Sequence, residues 1–259
     1  MNSVIDTIHQ RKSVRAYEDK PVPEDVRDLI LQSVIRAPTA GNMMLYSIIE
    51  VSDQEAKNKL VETCDNQPFI AEAPLVLVFL ADYQRWYDYF KASGVEQYCE
   101  EKGTPMVKPE EGDLFLACCD ALIAAQTAVI AAESMGVGSC YIGDILENYE
   151  IHREMFDLPQ YAVPICMICF GYPSKEQKER EQTERFGEEF IVFKNRYRRL
   201  REDEFKKMYA SMNERLMVGN AEIRDQPNVG KRMYKRKFSA DYAVEMRRSV
   251  RAILSAWST

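Results

Sequence analysis

Two uninterrupted apolar runs, residues 74–81 (PLVLVFLA) and 163–170 (VPICMICF), bracket an alanine-rich apolar segment at 115–135. Short runs without polar alternation suit strands covered on both faces. The longer segment is apolar nearly all round and stops at Gly136, so it is expected to be a central, buried helix. Around these three pieces, helical and strand patterns mix without regular βαβ alternation. That argues an α+β chain with one core and arms.

The remaining pattern places further elements. Val4, Ile5 and Ile8 share one helical face, giving a short helix at 3–10 with Ser3 as its cap. Residues 11–17 (RKSVRAY) alternate and end in a turn at 21–23. Residues 24–36 form an amphipathic helix with Val26, Leu29, Ile30 and Val34 inward. Pro38 stops it, and 39–42 (TAGN) is a loop. A strand is expected at 45–51, a helix at 53–64, a short element at 139–143 and a helix at 147–157. Residues 83–113 differ: Trp86, Tyr87, Tyr89, Phe90 and Tyr98 lie among charges, glycines and prolines, as in an insertion over the core. Residues 174–259 are charged and too extended for a core of their own.

Composition excludes several classes. The chain has 259 residues and a net charge of -7, a poor match to nucleic acid, whose phosphates require a basic surface. Nine Lys/Arg do cluster between residues 224 and 251, against Asp225, Asp241 and Glu245; a solvated helix face or an interface arm accounts for them, with contact to an anionic cofactor as the functional alternative. No apolar run reaches the ~18–20 residues of a membrane span, and the first residues carry no signal-peptide core, so a cytoplasmic protein is expected. The 7 cysteines are scattered in apolar segments, as reduced thiols are. Cys166 and Cys169 lie three apart in one strand and face opposite sides, and no second pair has zinc spacing, so no metal is expected. The glycines at 136–143 follow a helix and lack dinucleotide-binding spacing.

Residues 11–15 concentrate the chemistry. Arg11, Lys12, Ser13 and Arg15 put three cations and a hydroxyl within five residues. In an extended segment Arg11, Ser13 and Arg15 point the same way, which suits a phosphomonoester; a solvated charge run is the plainer alternative. In residues 37–42 (APTAGN), small side chains and a glycine allow close approach to a flat ring, with Thr39 and Asn42 as polar edges.

These segments, followed in order by Gln67, GVGSCYIG (136–143) and PICMICFGYP (164–173), resemble the nitroreductase family over roughly residues 1–200. The resemblance is nearest to its larger NADPH-dependent members. It implies a central mixed, mainly antiparallel sheet flanked by helices. It also implies a domain-swapped homodimer with FMN at the subunit interface. Residues 1–200 would be the FMN-binding domain, 83–113 its lid, and 201–259 an extension wrapping the partner. Arg11, Lys12 and Ser13 would hold the FMN phosphate, and Arg15 the ribityl chain and pyrimidine edge. Thr39 and Asn42 would come from the other subunit or the loop beside the ring, and Gln67 would bond ribityl or the ring edge. Tyr141, Ile142 and Gly143 would pack beside the isoalloxazine, their amides near N5 and O4. The family's Lys-x-Arg pair is altered here: Arg185 fits the position with Thr183 in place of lysine, and Arg180 is the alternative. Met44 stands where many members have Gln.

The resemblance further implies hydride transfer from NADPH or NADH to flavin N5, then to a nitroaromatic, quinone or flavin acceptor by a ping-pong sequence. Arg15 would stabilise negative charge on the reduced ring. Lys231, Arg232, Lys235, Arg236 and Lys237 are candidates for the 2′-phosphate of NADPH. A specialised reductase, such as a reductive dehalogenase or enone reductase, and a non-catalytic flavin-binding module are the alternatives.

Overall fold

The structure, a computed structural model, describes residues 2–219 and 228–258; Arg224 and Asp225 of the basic stretch lie outside them. Contacts divide the chain into one unit of residues 1–181 and 245–259 and a second of residues 182–244.

The first unit is built as follows. Helix α1 (Ser3–Gln10) is capped by Asn2, whose side chain accepts from the Val4 amide. The cap thus sits one residue earlier than the sequence suggests, since Asn and Ser serve equally well. Helix α2 (Glu24–Ile35) buries Ile30 and Val34, while Leu29, expected inward, is 50% exposed. Strand β1 (Tyr46–Glu50) leads to α3 (Gln54–Thr63) and α4 (Phe69–Glu72). Strand β2 (Leu75–Asp82) precedes the insertion helices α5 (Gln84–Ala92) and α6 (Val95–Glu101). Helix α7 (Glu111–Ser134) then crosses the core. Strand β3 (Gly138–Ile142), helix α8 (Tyr149–Met155), strand β4 (Ala162–Gly171) and helix α9 (Lys175–Glu179) follow.

The four strands form one sheet in the order β1-β2-β4-β3, and every named pairing is antiparallel. The one parallel element is an isolated bridge from Ser13 to Ser139. Side chains alternate across the sheet. Leu75, Leu77, Phe79, Cys166, Ile168 and Phe170 meet α2 and α7 on one face. Val76, Val78, Cys140, Met167 and Cys169 meet α3, α4 and Ile145 on the other. Cys166 and Cys169 therefore do face opposite sides, as their spacing requires. Both long apolar runs are strands because both faces are covered; β2 is buried at every position.

Helix α7 is long and apolar enough, by length and composition, to cross a membrane, a feature the sequence reading had missed. Here Ala117, Ala121, Ala124, Ala125, Ala128 and Ala132 are fully buried, and the small side chains let the helix lie close to the sheet. Its other side carries exposed Phe115, Leu116, Leu122 and Ile123.

The second unit holds α10 (Glu202–Met208), α11 (Ala210–Gly219) and α12 (Val229–Met233), continued by a π-helical turn at Tyr234–Phe238. Its internal ties include the Phe186–Tyr209 ring pair at 5.1 Å and a two-pronged Arg198–Glu204 ion pair. The C-terminal stretch is thus more folded than its charge suggests.

Helix α13 (Asp241–Trp257) ends in the first unit. Trp257 is 1% exposed, meets Tyr161 edge-on at 5.3 Å, and donates its indole N–H to Glu110 O at 3.0 Å. We expect Trp257→Ala to cost about 3–5 kcal/mol through the cavity it leaves. Denaturant titration at constant m checks this, and a loss below about 1 kcal/mol would show the end of α13 to be peripheral.

Candidate functional site

The segment 13–17 is seated by two glycines. Gly138 and Gly171 are register partners on β3 and β4. A Cβ on Gly138 would lie 2.5 Å from Val14 Cγ2, and one on Gly171 would lie 2.5 Å from the Tyr17 ring. Only glycine permits that approach. The Val14 amide donates to Ser139 O at 2.9 Å, and the Glu18 amide to Tyr172 O at 2.8 Å. Val14 is buried at 3% exposure, so its alternating neighbours Ser13 and Arg15 face away from the core.

These neighbours make a donor-rich cradle. An Arg11 Nη2 donates to Ser13 Oγ at 3.4 Å. Behind it, Ser139 Oγ donates to Glu133 Oε1 at 2.8 Å. Burial raises the Glu133 carboxyl while the Arg11 charge opposes that rise, so Glu133 supports Arg11 from the core side. Arg180 joins the cradle by donating from Nη2 to Ser13 O. Arg15 is exposed and extends over the Phe69 ring at 5.9 Å. Burial raises the Cys140 thiol beneath, and Arg15, Ser13 and Arg11 lower it, so these groups converge on one spot. Lys12 behaves differently from the sequence expectation. Its ammonium donates to the carbonyls of Lys178, at 2.7 Å, and of Arg180. It fastens the end of α9 to the cradle, where cations complement unpaired helix carbonyls.

A second group lies along the end of β3. Gln67 follows two left-handed residues, Asp65 and Asn66, and its Nε2 donates to Asp144 Oδ2 at 2.8 Å. The Ile142 side chain is 1% exposed, so only its backbone is available there. Tyr141 packs towards α7, with its hydroxyl 3.3 Å from Gln126 Oε1. Gly143 is exposed, and a Cβ on it would meet nothing within 4 Å. It forms an open ledge that a flat ring can approach.

Thr39 and Asn42 are not brought to this ledge within one chain. Their loop precedes β1, at the opposite edge of the sheet from β3, some three strand spacings or about 14 Å away. Thr39 Oγ1 donates to Asp120 Oδ2 and accepts from the Met44 amide at 2.8 Å. The hydroxyl thus shapes the loop, where the sequence suggested a ring contact. Asp120, 2% exposed, also accepts from the Ala40 and Leu45 amides, each at 3.1 Å. The loop is strained in a manner this carboxylate offsets: Gly41, Asn42 and Met44 all have positive φ. Helix α5 clamps it from outside. Arg85 Nη2 donates to the Met44 and Tyr46 carbonyls, and Trp86 Nε1 to Met43 O at 2.7 Å.

Arg185 and the cations 231–237 belong to the second unit, and the latter lie on α12 and the π-helical turn. Asp120, Glu133, Arg85 and Trp86 escaped the sequence reading. Asp120 carried a signal, being the sole charge between residues 114 and 132.

Fold and cradle together define an α+β protein with a donor-rich sheet edge. The model described as the nitroreductase family matches residues 8–172. An FMN reductase (NADPH) of Bacillus subtilis (strain 168) is 34% identical over 176 residues, 67% of each chain. An NADPH-flavin oxidoreductase of Vibrio harveyi is 29% identical over 205 residues, 79% of this chain and 78% of its own. The solved structure of B. megaterium NfrA2 aligns with a TM-score of 0.81 at 29% identity, covering 100% of this chain and 98% of that one. The chain belongs to the nitroreductase family.

Removing the buried carboxylate of Asp120 strands the Ala40 and Leu45 amides. Asp120→Ala is expected to lower stability by about 3 kcal/mol and to speed hydrogen exchange at those two amides. Unchanged exchange there would show that the loop holds its shape without Asp120.

Proposed function

We propose that this protein is an NAD(P)H-dependent flavin oxidoreductase that holds FMN with its phosphate in the 11–15 cradle and its ring along the Gly143 ledge. The observation that carries this reading is the convergence of Arg11, Ser13, Arg15 and Arg180 at one sheet edge, a set rich in donors for a group rich in acceptors. The open ledge at Gly143 fits a planar ring. When bound, FMN would supply the hydride chemistry between NADPH or NADH and a nitroaromatic, quinone or flavin acceptor, in ping-pong order.

The chain's own residues bind and tune. Arg11 is held by the Ser139–Glu133 support and meets the phosphate with Ser13, and Arg180 closes the same end. Arg15 sets a fixed positive charge between cradle and ring edge, where negative charge develops on reduction. Gln67, oriented by Asp144, presents its amide to the ribityl or ring edge. Lys12 holds α9 in place.

A homodimer completes the site. Thr39 and Asn42 lie at the far edge of their own sheet, so a second copy is needed to present them beside the ledge. Exposed Val4, Ile5 and Ile8 on α1, with Phe115, Leu122 and Ile123 on α7, provide apolar surface of the kind that interfaces cover. The extension 201–259 wraps the partner, except for the end of α13.

The purified protein is expected to be yellow, dimeric by sedimentation, and bleached by NAD(P)H under anaerobic conditions. Arg15→Ala is expected to weaken FMN binding by roughly tenfold, equal to about 1.4 kcal/mol, and to slow bleaching further at saturating FMN. A colourless monomer that ignores added FMN would sink the reading, and an R15A protein with unaltered binding and turnover would remove Arg15 from it.

The insertion at 83–113 covers the acceptor's side of the ring. Trp86 stands 5.8 Å from Tyr89 and 5.6 Å from Phe90, and these rings offer stacking surface. Removing α6 while keeping Arg85 and Trp86 is expected to reorder acceptor preference by about tenfold in kcat/KM and to leave FMN retention alone. Equal losses for every acceptor, accompanied by FMN release, would assign the insertion to stability.

A further inference from the structure

Glu147 follows the 3-10 turn Asp144–Leu146 and is 4% exposed. Its Oε1 is sealed from solvent and has no hydrogen-bond partner. Its carboxyl lies close enough to that of Asp144 to be raised by it. A buried carboxyl beside another carboxylate holds its proton more tightly, because adjacent negative charges in a desolvated site repel strongly.

The surroundings add to that repulsion. Cys64 and Asp65 face Glu147 from the end of α3, Asp144 from its own turn and Glu245 from α13. On α8, His152 has Nδ1 3.0 Å from Ile145 O and Nε2 2.8 Å from Thr63 Oγ1. Burial holds its imidazole below the usual range, so it is neutral at pH 7. Arg248 is engaged by Glu150 at 2.7 Å and by Glu245 at 2.8 Å. Burial first, and the carboxylates next, push Glu147 up to about 8.

The pair also has a mechanical connection. Asp144 accepts the Gln67 amide at 2.8 Å. The turn it opens closes back on Gly143, whose carbonyl accepts from the Leu146 amide at 3.1 Å, while the Glu147 amide donates to Asp144 O at 2.9 Å. The proximity of the two carboxyls thus links Gln67 and the Gly143 ledge to the buried side of the sheet.

We propose that Glu147 is a positioning residue: in its acid form it bonds to Asp144 and thereby fixes both Gln67 and the Gly143 turn for the flavin edge. The proposal rests on the flavin site argued above. Loss of that proton puts a second negative charge against Asp144, Asp65 and Glu245, and the turn loosens.

Titration of the apoprotein with FMN at pH 7 and pH 9 tests this in wild type and in Glu147→Gln, which still donates to Asp144 but cannot ionise. The second phosphate ionisation, near pH 6, is complete at both values, so it adds no step of its own. Wild-type affinity is expected to fall about tenfold, because one pH unit above a midpoint near 8 leaves about a tenth of Glu147 as the acid. E147Q is expected to change by less than about twofold. Thermal melting of the apoproteins gives an independent readout. Glu147 has a folded pKa raised above its unfolded value, so wild-type stability falls as pH rises from about 4.5 to about 8, and this slope is expected to flatten in E147Q.

Parallel pH profiles for wild type and E147Q, with FMN bound at pH 7 in both, overturn the proposal and leave the flavin site standing. No FMN binding by wild type at either pH overturns the flavin site and the proposal together. Should E147Q fail to fold, Asp144→Asn removes the charge facing Glu147 and is expected to remove the loss of affinity between pH 7 and pH 9; an undiminished loss overturns the proposal.

Discussion

The absence of side chains at Gly138 and Gly171 is what lets residues 13–17 lie against the sheet. Those two positions face each other across β3 and β4, and a methyl group on either would meet Val14 or Tyr17 at 2.5 Å. Displacing the segment by even one ångström would break the Val14–Ser139 and Glu18–Tyr172 hydrogen bonds. It would also release Val14 from the core and let Ser13 and Arg15 turn. The segment that carries the cradle is therefore held by apolar packing and backbone bonds, while the Glu133 carboxylate acts on Arg11 from the core side. Lys12, which does serve the architecture, meets neutral carbonyls and keeps its charge.

Helix α7 connects this cradle with the distant loop. Asp120 organises residues 39–45, and Glu133 supports Arg11 through Ser139. They are thirteen residues apart, about 20 Å along a helix. Each end of the helix thus stabilises a different half-site, and one chain holds the halves apart rigidly. The same helix leaves apolar Phe115, Leu122 and Ile123 exposed on its other side.

What the sequence revealed followed the range of each signal. Strands β2 and β4 were legible because a strand covered on both faces has no polar alternation to mislead. Helix α7 was legible because twenty-odd residues of small apolar side chains exceed any strand. The cradle was legible as a residue set, and its two glycines were visible within GVG and FGYP without their steric purpose. Long-range pairings were not legible. The raised carboxyl of Glu147 depends on burial and on Asp144, Asp65 and Glu245, and the last two approach only after folding; in the sequence it is one acid among many. The support that Asp120 gives Thr39 comes from 81 residues on, so no local signal announces it. Leu29 matched the inward spacing of α2, but the buried face is narrower than the apolar stripe and ends at Ile30 and Val34.

Met44 shows how the insertion and the loop became one piece. A non-glycine residue at φ 51° costs of order 1 kcal/mol or more, and such a geometry persists only where surroundings over-determine it. Here the Met44 amide is taken by Thr39 and its carbonyl by Arg85. The turn that points the Met43, Met44 and Tyr46 carbonyls outward also exposes them, and α5 supplies the donors that satisfy them through Arg85 and Trp86. The insertion is therefore no loose cover. Its first helix completes the hydrogen bonding of the loop that Asp120 holds from within, so α5 and the 39–45 loop shift together or remain fixed together.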